Sequence, residues 1–181
     1  SYQVEGRTYS ASDDAGNDGL SPERALRTVD NAVGRCTANE GDVIVLLHGS
    51  HSVSATVAVD VAGITITGLP GRGSEYRART ASSGRYRTQI VTTESAGIVF
   101  TVTAADVEIA NIHFDDISAG QNISASNAAD RLYIHDCSFA MDVAANSATM
   151  GIQFTLGTAT ATTVDDVVIR NCFFQSIANQ G

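Results

Sequence analysis

Apolar and polar residues alternate in short bursts along this chain, and four of the bursts share one pattern. They are Ile64-Thr65-Ile66-Thr67-Gly68-Leu69, Val107-Glu108-Ile109-Ala110-Asn111-Ile112-His113-Phe114, Leu132-Tyr133-Ile134-His135-Asp136-Cys137-Ser138-Phe139 and Val167-Val168-Ile169-Arg170-Asn171-Cys172-Phe173-Phe174. Each reads apolar, variable, Ile, variable, Gly/Asn/Asp, apolar, and the last three carry a Phe two places further on. Alternation with a period of two predicts a strand with one buried face. At the Gly/Asn/Asp position the phase breaks, and these residue types tolerate the left-handed backbone conformation that a tight corner requires. A strand that repeatedly ends in such a corner predicts a coiled solenoid.

Further β-rich runs fill out the coils. Gly97-Ile98-Val99-Phe100-Thr101-Val102 and Gly151-Ile152-Gln153-Phe154-Thr155-Leu156 match position for position, and residues 43–47 and 89–92 add two more. Each coil is therefore expected to hold two or three strands. The intervals between Ile66, Ile109, Ile134 and Ile169 are unequal, as expected when insertions map to outer turns. A β-sandwich also has many short strands, but it does not predict a shared motif with a corner at a fixed place. A doubly wound α/β fold needs more than the single helical segment evident here. The expected fold is all-β, a right-handed parallel β-helix (solenoid) of about four coils with an N-terminal capping α-helix.

That helix is predicted to begin at Ser21, which offers an N-cap oxygen, with Pro22 at the first helical position and Glu23 complementing the positive end. Ala25, Leu26, Val29, Ala32, Val33 and Cys36 then fall on one face. Such a helix would cover the open end of the solenoid core. The chain thus divides into an N-terminal segment with its capping helix over residues 1–40 and a β-helix over residues 41–181. The run Asp13-Asp14-Ala15-Gly16-Asn17-Asp18-Gly19-Leu20-Ser21-Pro22-Glu23-Arg24-Ala25, that helix, and then Gly41-Asp42-Val43-Ile44-Val45-Leu46 resemble the start of pectate-lyase-like right-handed β-helix proteins, which include many phage tailspikes and other virion proteins. The resemblance spans nearly the whole chain. It implies an architecture rather than an activity, because that fold carries lyases, hydrolases, adhesins and inert structural parts.

In such a stack, equivalent side chains of successive coils lie about 4.8 Å apart. Ile66, Ile109, Ile134 and Ile169 are expected to form one internal column, each contributing roughly 1.5 to 3 kcal/mol. Asn111, Asp136 and Asn171 are expected to form a polar structural ladder at the corner, and Cys137 and Cys172 to occupy matching inward positions. The pattern runs to Phe173 and Phe174 with no second capping element, so the chain is expected to continue past Gly181 or to be covered there by another chain. Ser1 in place of an initiator Met points to processing or to a piece of a longer protein.

Composition narrows the partners. A net charge of -9 and a pI near 4.7 exclude a general nucleic-acid binder, which needs a basic face. No apolar run reaches the roughly 18 residues of a membrane helix, and residues 1–5 carry no charged-then-apolar leader, so no membrane partner is expected. All 11 basic residues are Arg, which points to GC-rich coding or to adaptation to high salt. Cys36, Cys137 and Cys172 lack metal-ligand spacing and read as buried free thiols. No cofactor is expected.

Candidate chemistry lies on the outward positions. Glu108, Tyr133, His135 and Arg170 should share one outer sheet face across neighbouring coils. An aromatic ring to stack on sugar, with charged groups to hold hydroxyls or uronate, makes them a candidate glycan-binding set, against the plainer reading of a solvated sheet. His113, Asp115 and Asp116 lie past a corner, yet adjacent carboxylates in an extended segment point to opposite sides and do not make an acid–base pair. The Gly-His-Gly and Arg-Ile-Lys signatures of polygalacturonases are missing, so no catalytic residue is assigned. Residues 13–19 are oxygen-rich but do not match an EF-hand, and His48 and His51 lack further ligands, so no metal site is expected. The insert over residues 70–88 carries Arg72, Tyr76, Arg77, Arg79, Arg85, Tyr86 and Arg87, types enriched at interfaces, and is the candidate partner-docking segment.

The resemblance, the missing catalytic signatures and that insert point to a non-catalytic structural or adhesive protein at a virion or extracellular surface. It would be a head decoration, fibre or tailspike whose partners are other chains of a capsid, tail or homotrimer. The alternatives are a polysaccharide lyase or glycoside hydrolase acting on acidic surface glycans, and a cell-surface carbohydrate-binding protein.

Overall fold

The structure, a computed structural model, describes residues 2–4, 7–9, 16–69, 88–92, 98–116, 121–142, 150–155 and 165–177. Two short strands, β1 (Tyr2–Val4) and β2 (Arg7–Tyr9), pair antiparallel at the start. After a helix α1 (Val29–Val33), the remaining strands fall into three parallel sheets. The first sheet stacks β3 (Val43–Leu46), β6 (Thr65–Gly68), β9 (Glu108–Ala110), β12 (Tyr133–His135) and β15 (Val168–Arg170). The second stacks β4 (Gly49–Val53), β7 (Thr88–Thr92), β10 (His113–Asp116), β13 (Ser138–Asp142) and β16 (Phe173–Ile177). The third stacks β5 (Val57–Val59), β8 (Ile98–Val102), β11 (Gln121–Ser126) and β14 (Met150–Thr155). The chain visits the three sheets in turn, so the fold is a parallel β-helix of four complete three-strand coils and the first two strands of a fifth.

Register turns the repeat into a core. Ile44, Ile66, Ile109, Ile134 and Ile169 are consecutive partners along the first sheet, so the column has one more member, Ile44, than the repeat displays. In the second sheet Phe114, Phe139 and Phe174 line up, with ring centroids 5.0 and 4.8 Å apart and nearly parallel planes. Phe100 meets Phe114 edge-on at 5.7 Å. Such aromatic pairs contribute about 0.5 to 1.5 kcal/mol each beyond the area they bury.

Two sets of left-handed residues bend the third, fourth and fifth coils. After the first-sheet strands stand Asn111, Asp136 and Asn171, with φ of 57°, 53° and 51°. Their side chains reach along the stack: Asn171 Nδ2 donates to Asp136 Oδ1 at 3.4 Å, and Asn111 Nδ2 to Thr67 Oγ1 at 3.2 Å. Gly68 is the residue at this corner of the second coil for another reason. A Cβ there would run into the Asn111 carbonyl and the Thr88 side chain, and its φ is not left-handed. Before the first-sheet strands stand Gly63, Asp106, Arg131 and Asp166, with φ of 73°, 59°, 56° and 58°. Backbone bonds from Gly63 N to Ala105 O (3.1 Å), Asp106 N to Asp130 O (2.9 Å) and Arg131 N to Asp165 O (2.8 Å) stitch this second corner.

Two expectations need correction. The helix does not begin at Ser21: Pro22–Arg24 is a separate 3-10 turn, Ser21 makes no side-chain cap bond, and Ala25 leaves helical space. Thr28, extended at φ −121° and ψ 148°, caps α1 instead by accepting from Asn31 N at 3.3 Å. A β-branched pair, Thr28-Val29, favours this restart over a continuous helix. Val29 and Val33 of α1 are buried in the shared core, and α1 packs against β5. Second, the two matched runs do not align position for position. The partners run Ile98, Gln121, Met150 and Phe100, Ile123, Ile152, a slip of two that leaves the inward parity intact. Gln121–Ser126, outside the runs read from the sequence, is also a strand although its small polar side chains show little alternation.

Gly151 has a steric role, since a Cβ there would lie 2.8 Å from the Phe174 ring. Directly below it, Asn122 is fully buried, and neither its Oδ1 nor its Nδ2 has a partner among the described residues.

Candidate functional site

Alternation in the first sheet sends two columns outward. One is Val43, Thr65, Glu108, Tyr133 and Val168, and the other is Val45, Thr67, Ala110, His135 and Arg170. Glu108 therefore sits beside Tyr133 on the next coil, and His135 beside Arg170 on the one after. Tyr133 and His135, two apart on β12, stack their rings with centroids 4.3 Å apart and planes at 24°. The structure brings Glu108, Tyr133 and His135 into direct contact. Arg170 lies one coil further on, exposed, and forms no ion pair with another described residue.

His135 is the centre. Its Nε2 lies 2.9 Å from Glu108 Oε1 and its Nδ1 lies 2.7 Å from Asp136 Oδ2. Partial burial works against a charged ring, but the bonds to Asp136 and Glu108 outweigh it and raise the His135 pKa above its ordinary value of 6.5. The imidazolium form donates from both nitrogens, one to each carboxylate. The second oxygens are also engaged, Glu108 Oε2 by Thr65 Oγ1 at 3.3 Å and Asp136 Oδ1 by Asn171. A bonded line thus runs Thr65, Glu108, His135, Asp136, Asn171 over three coil steps, about 14 Å at the parallel-strand spacing.

Such an array presents an imidazole clamped between two carboxylates, an aromatic face and a row of polar edges. With both its ring nitrogens bonded, His135 is a poor general base and a poor metal ligand. Asp136 was legible in the sequence only as a corner residue. Its carboxylate reaches His135 because a left-handed residue directly follows the histidine, and an Asp in that place is the signal that could have found it.

The other candidates separate from this face. His113 is on β10 in the second sheet, with Nδ1 2.7 Å from Ser138 Oγ, and Asp115 and Asp116 follow it in the same strand. His48 and His51 direct Nε2 at backbone carbonyls, Leu69 O at 3.3 Å and Leu47 O at 2.8 Å. Burial lowers the His51 pKa below its ordinary value. In the oxygen-rich turn, Asp18 pairs with Arg24 at 2.9 Å and accepts from Leu20 N, while Asp13 and Asp14 lie outside the described residues. Among the described residues no three His, Cys, Asp or Glu gather closely enough to hold a metal ion, and no helix is long and apolar enough to cross a membrane. Arg72, Tyr76, Arg77, Arg79, Arg85, Tyr86 and Arg87 all lie outside the described residues.

No family profile and no curated protein matches the chain. Two crystal structures of pectin methylesterase are similar to it, a point mutant in complex with hexasaccharide IV and the enzyme in complex with hexasaccharide VII. Each superposes with a TM-score of 0.52 at 12% identity, covering 92% of this chain and 54% of the other. The likeness is one of fold, and the chain spans about half the length of the solved structures it matches.

Proposed function

We propose that the outer face of the first sheet binds a polysaccharide laid along the coil axis, and that the protein is a carbohydrate-binding β-helix without turnover. The observation that carries this reading is the bonded line from Thr65 through Glu108 and His135 to Asp136 and Asn171, with Tyr133 stacked on the imidazole and Arg170 beside it. Fixed acceptors and donors spaced along one axis suit a repeating ligand, since each coil offers the next sugar a similar edge. Arg170 adds a fork of donors for a carboxylate, which favours acidic polymers. The mutual saturation of imidazole and carboxylates favours holding over turnover, because no side chain in the line is left with a free proton to move. That the similar pectin methylesterase structures are hexasaccharide complexes supports a sugar ligand on this fold.

Calorimetry with acidic and neutral polysaccharides tests the reading. Binding to an acidic polymer is expected, weakened by Arg170→Ala and by His135→Ala, with no new reducing ends and no unsaturated-uronate absorbance. Cleavage of any polymer would replace it with the lyase or hydrolase reading, and no binding at all would end it. Neither the described residues nor the similar structures favour the virion reading, as a head decoration, fibre or tailspike docked through the arginine-rich insert.

A further inference from the structure

Cys137 and Cys172 occupy one corner of two successive coils. Each follows a left-handed residue, Asp136 and Asn171, and the strands they lead into are in register, Ser138 against Phe173. Phe173 N donates to Cys137 O at 2.9 Å, which ties the two positions directly. Their thiols are posed alike: Cys137 Sγ lies 3.3 Å from His135 O and 3.7 Å from Ile109 O one coil below, and Cys172 Sγ lies 3.4 Å from Arg170 O and 3.7 Å from Ile134 O one coil below. In the third coil the same place is held by Ile112, a buried aliphatic side chain. Parallel neighbours stand about 4.8 Å apart, inside the range of about 4.4 to 6.8 Å over which a disulfide joins two Cα atoms. Both cysteines are free in the structure.

We propose that Cys137 and Cys172 form a thiol–disulfide site, which a small soluble disulfide oxidises to a covalent tie between the fourth and fifth coils. Cys172, the partly exposed member, attacks, and Cys137, fully buried beneath it, resolves. The Cys172 thiolate displaces one thiolate from the reagent disulfide and becomes a mixed disulfide. The released thiolate takes the Cys137 proton, and Cys137 sulfur then attacks Cys172 Sγ and expels the second thiolate. Two protein thiols are oxidised to one disulfide while the reagent is reduced to two thiols, so atoms and electrons balance. The hydrogen bond from Cys137 holds the Cys172 thiol down at about 7, while burial pushes that of Cys137 well up. This assigns the nucleophile and the resolving thiol in the same order as their exposure. The site does not depend on the polysaccharide reading.

The test uses the folded protein and glutathione disulfide near neutral pH, followed by alkylation, digestion without reductant and mass spectrometry. The expected product has lost two hydrogens, retains no glutathione and yields a linked pair of peptides containing Cys137 and Cys172. Cys36, whose thiol burial pushes up and which bonds to Ala32 O, is the internal control and should react roughly tenfold or more slowly than Cys172. Cys137→Ser, or Cys137→Ala where the serine disturbs folding, should retain glutathione on Cys172, and Cys172→Ser should take up none at this corner. A lasting glutathione adduct on wild-type Cys172, a linkage through Cys36, or no reaction at either corner thiol while the urea-unfolded chain reacts would each overturn the proposal.

Discussion

The fourth and fifth coils carry nearly the same residues in the same places and treat them differently. Ile134 is fully buried and Ile169 is 43% exposed, and Phe139 is fully buried while Phe174 is 45% exposed. Residue type, register and corner are shared, since Ile134 pairs with Ile169 and Phe139 with Phe174. What differs is the far side: β15 and β16 are edge strands of the described sheets, whereas β12 and β13 have a neighbour on each side. The corner decides which way a side chain points, and the next coil decides whether it is dry. Stability in a solenoid is thus a sum over adjacent pairs rather than a property of each coil.

The comparison can be broken where its effect is largest. Ile134→Asp should unfold the middle of the stack, because an unpaired charge would sit in a dry column. Ile134→Ala should cost about 2 to 5 kcal/mol in urea denaturation, and Ile169→Ala less than half as much. Equal costs would show that the fifth coil is as well covered in solution as the fourth.

Within the covered coils a polar defect should act the opposite way. Asn122 is buried with no partner for its amide among the described residues, and Val99 stands in line with it one coil below. Asn122→Val is expected to raise stability by about 1 to 2 kcal/mol, read as a higher urea midpoint at unchanged slope. A loss of stability would show that an ordered water or another group satisfies the amide.

A smaller effect concerns the outer face. The His135 pKa is raised in the folded protein, so its contribution to stability is fully present below the unfolded value of 6.5 and is lost as pH rises through the folded value. The urea midpoint should therefore fall over that window more steeply in the wild type than in His135→Gln. Parallel slopes would mean that Glu108 and Asp136 do not hold the imidazolium. The smallest effect is expected at the solvent-facing surface pair of Asp106 and Arg131, where Arg131→Ala should leave the midpoint unchanged in high salt. A clear loss would show that the Arg131 side chain matters to the corner itself.

Much of the architecture was legible because two signals agree. Isoleucines at a period of two mark the inward column, and Asn or Asp at the break marks the corner, so Ile66, Ile109, Ile134 and Ile169 could be aligned from sequence alone. Ile44 escaped the repeat because its strand is followed by Leu47-His48 rather than by Gly, Asn or Asp. The other corner is marked by Gly63, Asp106 and Asp166 but interrupted by Arg131, which adopts φ of 56° without a side chain that advertises it. Strand β11 was missed because Gln121, Asn122, Ser124 and Ser126 carry no apolar alternation, and its position comes from pairing with β8 and β14. At the candidate site the outward columns follow from alternation, which is why Glu108, Tyr133, His135 and Arg170 could be grouped. The choice of His135 partners could not be read, because it depends on how the left-handed Asp136 turns its carboxylate.

The two left-handed corners make each of the last three coils a self-contained building unit. A spare coil copied between β9 and β12 would keep every inward column in phase, yet it would carry Glu108 one storey away from His135. The scaffold can therefore grow or shrink by whole storeys without objection from its core, and only the pattern painted on its outside records which length is the working one.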